Sequence, residues 1–186
     1  MIRSFKPGLQ VVGIDDAMHE REDKHTELAF VFCKGTRIEH FLHASIEVDG
    51  MDATGVILKK LQDQPACRWF RLIMLHGITV GGFNVVDITQ LSRELGTPII
   101  AVTENTPDGD SMLEAVTHVP GGNTKLGYIK QAGELHAVKT KFGKNPVYFH
   151  VKGMEVPLAK QYLRKFSIRS KLPECVLLAH VIATGL

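Results

Sequence analysis

The chain is poor in the features that mark a disulfide-stabilised or membrane-spanning protein. Its 186 residues include only three cysteines, Cys33, Cys67 and Cys175, which lie far apart. That spacing argues against a disulfide framework and against a four-cysteine zinc site. No apolar run is long enough to span a bilayer, and the basic N-terminus lacks the apolar core of a signal peptide. We therefore expect a cytoplasmic protein, in a reducing environment.

Acidic residues are scarce in the last third of the chain. Residues 121–186 contain 11 Lys/Arg and 3 Asp/Glu, a net charge of +8, whereas residues 1–120 contain 11 and 17, a net charge of −6. The length fits a single domain over residues 1–186 with a basic C-terminal third. This asymmetry of charge along the chain is expected of an enzyme in which acidic residues hold cations at the reacting groups and basic residues bind a polyanion beside them. Alternatively, the charges segregate in sequence and mix on the folded surface.

The apolar segments predict a mixed α/β fold. Residues 11–16, 28–33 and 38–48 predict three strands, and their connections are too short for crossover helices, so an antiparallel meander is expected. Two short, wholly apolar strands, 72–75 and 98–102, alternate with helices and predict parallel pairing. The periodicity predicts helices at residues 56–65, within 85–95, at 111–118 and 124–132, from near Pro157 to 166, and at 174–184, with a two-stranded ribbon within residues 134–152.

Carboxylates follow two of the predicted strands directly. Asp15 and Asp16 end the first strand, and Asp49 and Asp52 follow the third. Open α/β sheets place ligands at the carboxyl ends of their strands, and Mg²⁺ typically takes one or two protein carboxylates. Asp15 and Asp49 are therefore candidate metal ligands, with Asp16 and Asp52 as supporting groups or alternative ligands. Asp is also common in solvated turns and at helix N-caps, which is the competing interpretation.

A glycine-rich loop follows the fourth predicted strand. His76 stands at the end of this strand, and three glycines within residues 77–82 permit close approach of the backbone to a ligand. The loop does not match the phosphate-binding GxxxxGK[ST] pattern. Gly82, Phe83 and Asn84 are candidates for stacking on and hydrogen bonding to a nucleic-acid base. Packing of Phe83 in the core is the alternative.

Three motifs carry a resemblance to a known family. They are Val12-Gly13-Ile14-Asp15-Asp16, Val48-Asp49-Gly50-Met51-Asp52-Ala53-Thr54 and Gly77-Ile78-Thr79-x-x-Gly82-Phe83-Asn84-Val85-Val86-Asp87-Ile88. Together they resemble the archaeal endonuclease dU family, a relative of endonuclease V. The resemblance implies a ribonuclease H-like α/β fold: a mixed sheet, with a three-strand antiparallel meander plus two parallel strands, flanked by helices. It also implies a metal-dependent endonuclease, using Mg²⁺ or Mn²⁺, that nicks DNA at or near deaminated bases such as deoxyuridine.

The resemblance also implies roles for single residues. Asp15, Asp49 and His180 match catalytic positions of endonuclease V. The site would take its metal ligands from Asp15, Asp49 and His76, although endonuclease V has an acid where this chain has His76. A core position on a buried helix is the alternative for His180.

A second departure lies after the fifth strand, where endonuclease V has a basic residue and this chain has Thr103 and Glu104. Together with His76 it leaves two other functions open. One is a nucleic-acid-binding protein with weakened catalysis, and the other is a nucleotide phosphoesterase.

Overall fold

A computed structural model describes residues 2–20, 22–63, 69–105 and 109–186, with the side chains of residues 109–112 left aside. Its strands are β1 (Gln10–Asp16), β2 (His25–Lys34), β3 (Arg37–Glu47), β4 (Leu72–His76), β5 (Thr79–Val80), β6 (Asn84–Val85), β7 (Ile99–Thr103), β8 (His136–Val138) and β9 (Val147–Lys152). Its helices are α1 (Ala53–Asp63), α2 (Ile88–Leu95), α3 (Gly109–Thr117), α4 (Gly122–Ala132), α5 (Val156–Phe166) and α6 (Glu174–Ala183).

Seven of the strands form one mixed sheet in the order β3-β2-β1-β4-β7-β9-β8. The first three pair antiparallel, and β1, β4 and β7 are parallel neighbours. The predicted meander and the two predicted parallel strands are therefore confirmed. The predicted ribbon is β8–β9, and it extends the sheet because β9 pairs antiparallel with β7.

Two apolar clusters cover the two faces of the sheet. Even-numbered β1 residues such as Val12 and Ile14 pack in the cluster that contains α1 and α2. Odd-numbered Val11 packs in the cluster of α5 and α6. Successive side chains of a strand point to opposite faces, so Asp15 lies on the α6 face and Asp16 on the α1 and α2 face. The helices therefore enclose the sheet on both sides and leave its strand ends accessible.

Helix α6 approaches β1 closely because Gly13 has no side chain. A Cβ built on Gly13 would lie 2.1 Å from the carbonyl oxygen of Cys175 on α6. Cys175 and Val176 are buried at this contact. The glycine in the first motif thus sets how α6 lies across β1.

The structure differs from the sequence prediction in the glycine-rich loop. Residues 79–85 form the small antiparallel hairpin β5–β6, where only a loop was predicted. Strands of two residues are too short for the period-2 alternation that identifies a strand in sequence. Pro65, the predicted end of α1, lies outside the described residues. No helix in the described part of the chain has the length and apolar character needed to cross a membrane.

Candidate active site

A buried carboxylate with two imidazoles lies at the end of β1. Asp15 is 2% exposed, and its Oδ2 lies 3.0 Å from His76 Nδ1 and 2.9 Å from His180 Nδ1. An ionised carboxylate can only accept hydrogen bonds, so both nitrogens donate. His76 is partly exposed and His180 is about half exposed. The cluster is therefore buried at Asp15 and open to solvent on the side of the two imidazoles.

Each member of this cluster comes from a different element. Strands β1 and β4 are parallel and in register at Ile14 and Leu75, so Asp15 and His76 leave the sheet side by side. His180 is supplied by α6, which Gly13 brings against β1. The structure thus assembles three predicted site residues, two of them separated by 165 positions.

Asp15 changes the acid–base behaviour of His76. Burial lowers the pKa of this imidazole, but the hydrogen bond to Asp15 and the negative charges of Asp15, Asp16 and Glu104 raise it. The net effect is a pKa above the ordinary value for histidine. The acidic strand end therefore favours positive charge at this position, from a proton or from a cation.

The cluster suits a divalent transition metal. One ligand atom each from Asp15, His76 and His180 can be chosen so that all three lie within 4.8 Å of one another. Adjacent ligands of an octahedral ion with bonds of about 2.1 Å are roughly 3 Å apart, close to the separations from Asp15 Oδ2. Imidazole is common on Mn²⁺, Fe and Zn²⁺, while Mg²⁺ prefers oxygen. The donor set therefore fits Mn²⁺ better than Mg²⁺.

A cleft of about 330 Å³ surrounds the cluster. Besides the three cluster residues, Asp16, Met18 and His19 line it, and Met18 is 83% exposed. His19 was missed at the level of sequence because it belongs to a polar loop rich in charge and histidine. Its position three residues after Asp16 was the only signal that could have identified it.

Asp16 ties the cluster to the glycine-rich loop. Its Oδ2 accepts a hydrogen bond of 2.9 Å from the backbone N–H of Gly81. Burial, and to a smaller extent the charge of Asp15, raises the pKa of Asp16, although the bond from Gly81 acts against this. Asp16 thus supports the loop from the opposite face of β1.

The carboxylate of Asp49 lies at this loop and not within the three-residue cluster. Asp49 Oδ1 accepts a 2.7 Å hydrogen bond from Phe83 N–H, and Asp49 N–H donates to Gly81 O at 2.8 Å. A Cβ on Gly82 would lie 2.4 Å from Asp49 Oδ1, so glycine is required there. Asp49 itself has a left-handed backbone, with φ 54°. Its predicted role as a ligand remains a prediction, and its contacts hold the loop.

Lys125 supports Asp49 and was missed by sequence reasoning. This α4 lysine is fully buried, and its Nζ donates a 2.7 Å hydrogen bond to Asp49 O. Burial lowers the pKa of Lys125, and the Asp49 charge partly offsets the effect. A buried lysine within a helix of low amphipathicity gives no distinctive pattern in sequence.

Asn84 and Asp52 make their hydrogen bonds inside the protein. Asn84 is fully buried, donates to Glu47 O at 2.9 Å and to Asp52 Oδ1 at 2.6 Å, and accepts from Ala53 N–H at 3.2 Å. These contacts fix the start of α1 against the hairpin. A contact between Asn84 and a base would require them to break. Gly82 is exposed and Phe83 half-buried, so these two remain candidates for contact with substrate.

Comparison with known proteins gives a consistent result over the whole chain. A model of the family described as endonuclease dU matches residues 7–186. A UPF0215 protein from Methanosarcina acetivorans is 38% identical over 98% of this chain and 92% of its own length. One from Methanopyrus kandleri is 35% identical over 99% and 94%.

Solved structures show the same fold. An Archaeoglobus fulgidus protein superposes with a TM-score of 0.85 at 27% identity, covering 95% of this chain and 97% of its own. The catalytic domain of human endonuclease V gives 0.64 at 12% identity over 97% and 84%. Endonuclease V from Ciona intestinalis, in complex with inosine-containing DNA, gives 0.61 at 11% over 95% and 84%. The predicted ribonuclease H-like fold is confirmed.

Proposed function

The chain belongs to the endonuclease dU family, and from that premise we propose that it is a divalent-metal-dependent endonuclease that nicks DNA at or near deaminated bases such as deoxyuridine. The family and the endonuclease V-like fold support a nuclease-type function. The observation that carries the proposal is the Asp15–His76–His180 cluster at the open ends of two parallel strands. The cofactor proposed is Mn²⁺ or Mg²⁺.

The cluster residues have distinct tasks in this proposal. Asp15, His76 and His180 would hold the ion, which when bound neutralises phosphate charge and activates water for attack on a phosphodiester. Asp15, buried at the inner end of the site, orients both imidazoles through its Oδ2 when no ion is bound. An ion held at the two Nδ1 atoms would replace the protons that make these hydrogen bonds. Asp16 and Asp49 hold the glycine-rich loop from two sides, through Gly81 and Phe83.

The loop and the basic C-terminal third provide a proposed surface for DNA. The exposed Gly82 lies at the cleft, since the position of its absent Cβ is 3.6 Å from His19 Nε2. Residues 121–186, with 11 Lys/Arg and 3 Asp/Glu, are proposed to contact the phosphate backbone. The DNA-bound structures of Ciona intestinalis endonuclease V support nucleic acid as the partner.

A nicking assay tests the catalytic part of the proposal. Duplexes with one uracil, hypoxanthine or xanthine are incubated with the protein in Mn²⁺, Mg²⁺ or EDTA. We expect nicking of at least one deaminated duplex that requires metal and is absent in a His76→Ala/His180→Ala double variant. Binding without nicking under every condition would instead favour a nucleic-acid-binding protein with weakened catalysis. Hydrolysis of mononucleotides alone would favour the phosphoesterase.

Salt dependence tests the DNA-binding part. Each phosphate neutralised by Lys or Arg contributes about −0.9 to the slope of log affinity against log salt on duplex DNA. We expect a steep slope in EDTA, where no cleavage occurs. A flat slope, or no binding at low salt, would contradict the proposed contact with the phosphate backbone.

A further inference from the structure

Three connected clefts lie at the edge of the sheet opposite to the Asp15 cluster. Strands β1, β4 and β7 are parallel, so all three begin at this edge. A cavity of about 420 Å³ shares Arg71 with a cleft of about 330 Å³, and that cleft shares Phe70 with a smaller one at Trp69. The consecutive residues Trp69, Phe70 and Arg71 therefore join the three clefts into one strip. Along β1, the strip is about 17 Å from the cluster for an extended chain.

Trp69 is the exposed aromatic residue of this strip. It is the only tryptophan of the chain, and 65% of it is exposed. The cleft beside it also contains His40, whose ring stacks on Phe32 with the centroids 4.3 Å apart. Tryptophan is highly buried on average and is enriched where proteins bind partners. An exposed tryptophan in a cleft is therefore a candidate contact for a partner.

Three cations line the largest cleft of the strip. Arg3, Lys6 and Arg71 border the cavity of about 420 Å³, and its described wall contains no Asp or Glu. All three residues are exposed, and none forms an ion pair with a carboxylate among the residues that the structure describes. Positive charges gathered at a cleft without an acidic partner attract an anion.

The backbone that carries these cations is held in place. The hydroxyl of the buried Tyr162 accepts a hydrogen bond from Lys6 N–H and donates one to Ser4 O, each at 3.2 Å. Phe5 packs against the Tyr162 ring, with the centroids 5.0 Å apart. Arg71 N–H donates a 2.9 Å hydrogen bond to the first residue of β1. Because the backbone is already ordered, binding an anion here costs little backbone entropy.

We propose that this strip binds single-stranded nucleic acid, with an unpaired base stacked on Trp69 and the adjoining phosphates held by the three cations. A basic groove combined with an exposed aromatic ring is the arrangement that proteins use for single strands. The bases of a duplex are stacked inside the helix, so a duplex would contact only the cations. The strip goes beyond the proposed nuclease function, since it lies at the edge opposite to the reactive cluster and outside residues 121–186.

Two carboxylates restrict the path of the strand. Glu94 lines the middle cleft, where it accepts a hydrogen bond from Gln90 Nε2 and lies 3.6 Å from Arg93. Glu39 lines the cleft at Trp69. Both carboxylates repel phosphate, so a base is expected at Trp69 and the phosphates are expected at the cavity of the three cations.

The fluorescence of Trp69 reports on this strip alone, because the chain has no other tryptophan. The protein is titrated in EDTA with an unmodified oligothymidylate and, separately, with a duplex of the same length. Anisotropy of the labelled DNA measures total binding in the same samples. We expect the oligothymidylate to quench Trp69 in a saturable manner, because a base stacks on the ring, and the duplex to leave the emission nearly unchanged.

Variants test the two parts of the strip. Trp69→Leu should weaken the affinity for oligothymidylate, measured by anisotropy, by about tenfold, the value of one stacked base, and Trp69→Phe should restore most of it. Lys6→Gln should weaken the affinity measured by Trp69 quenching and make its salt slope less steep by about 0.7, the value for one phosphate on a single strand. Lys59→Gln makes the same change at an exposed lysine of α1 outside the three clefts, and it should alter neither quantity.

The outcomes separate this proposal from the proposed catalysis. Unchanged Trp69 emission at oligothymidylate concentrations that saturate the anisotropy would overturn the strip, since the strand would then bind elsewhere. Equal quenching by the duplex would overturn the assignment to single strands, and equal effects of Lys6→Gln and Lys59→Gln would overturn the role of the cations. Every measurement is made without metal, so quenching in a protein that nicks no substrate would support the strip and contradict the catalysis.

Discussion

His76 and His150 lie on opposite sides of strand β7 and have opposite electrostatic surroundings. His76 is aligned with Val102 of β7 from one side, and His150 with Ala101 from the other. The Asp15 carboxylate raises the pKa of His76 in spite of burial, whereas burial lowers the pKa of His150 and nearby His136 and Lys152 add to the effect. The region around His76 (the cationic region) thus favours a cation. The region around His150 (the neutral region) favours a neutral ring, whose Nδ1 has no hydrogen-bond partner among the described residues.

The comparison shows why residue type alone does not define a site. Both histidines stand on strands that pair with β7, and both are partly buried. Only the neighbours differ, a buried carboxylate in one case and backbone carbonyls and cations in the other. Substitutions in the cationic region should therefore have larger effects than substitutions in the neutral region.

The largest effect is expected from removing the negative charge of the buried Asp15 carboxylate, which favours a cation in this region. Asp15→Asn should lower the single-turnover nicking rate by about a thousandfold or more, because a neutral amide is a poor donor to a cation. Asp49→Asn should lower it less than about tenfold, since the amide oxygen can still accept from Phe83 N–H. Equal losses in both variants would place Asp49 in the reactive centre, as the sequence motif predicts.

Much of this region could be predicted from the sequence because it depends on local patterns. The apolar run that ends in Asp15 and the short strand that ends in His76 predict two parallel strands, and parallel strands bring their carboxyl ends together. The structure confirms this arrangement in the register of β1 and β4. The helix that carries His180 was also predicted within about a residue of its observed bounds.

The remaining contacts could not be derived from local patterns. His180 meets Asp15 only because α6 crosses β1 at Gly13, and no periodicity encodes such a crossing. The burial of Lys125 beneath Asp49 and the internal hydrogen bonds of Asn84 depend on tertiary packing in the same way. Lys125 and Asn84 are residue types that often take part in catalysis or binding, but in this protein their side chains stabilise a loop.

The close contact of α6 with β1 gives the second prediction. Gly13→Ala should destabilise the protein by about 1–3 kcal/mol, because the new methyl group must displace the backbone at Cys175. The nicking rate should fall too, since His180 moves with α6. Gly55→Ala is the matched control: Gly55 lies in α1 with nothing within 4 Å of an added Cβ, so it should be neutral or stabilising. Denaturant unfolding measures both, and equal stability of the two variants would contradict the argument.

The third prediction concerns the metal preferred by the cationic region. Replacing an imidazole by a carboxylate adds negative charge and a hard oxygen donor, which suits Mg²⁺. His76→Asp should therefore lower the ratio of nicking rates in Mn²⁺ and Mg²⁺ by about tenfold. Both metals are compared at saturating concentration, with His43→Asp on exposed β3 as a control. A ratio unchanged from that of wild type would show that His76 does not act as a ligand.

The smallest effect is expected in the neutral region and concerns stability. The pKa of His150 is lowered in the folded protein from the ordinary value of 6.5. Between these two values the unfolded chain binds more protons, so acidification favours unfolding. The stability contributed by neutral His150 should be fully present above pH 6.5 and be lost as the pH falls through the folded value. Relative to His150→Leu, wild type should lose stability below pH 6.5, with a slope of at most about 1.4 kcal/mol per pH unit for one proton.

Urea unfolding of both proteins from pH 7.5 downwards measures the difference. A difference that stays constant, or that grows in favour of wild type on acidification, would show that the ring is charged in the folded protein and would remove the contrast with His76.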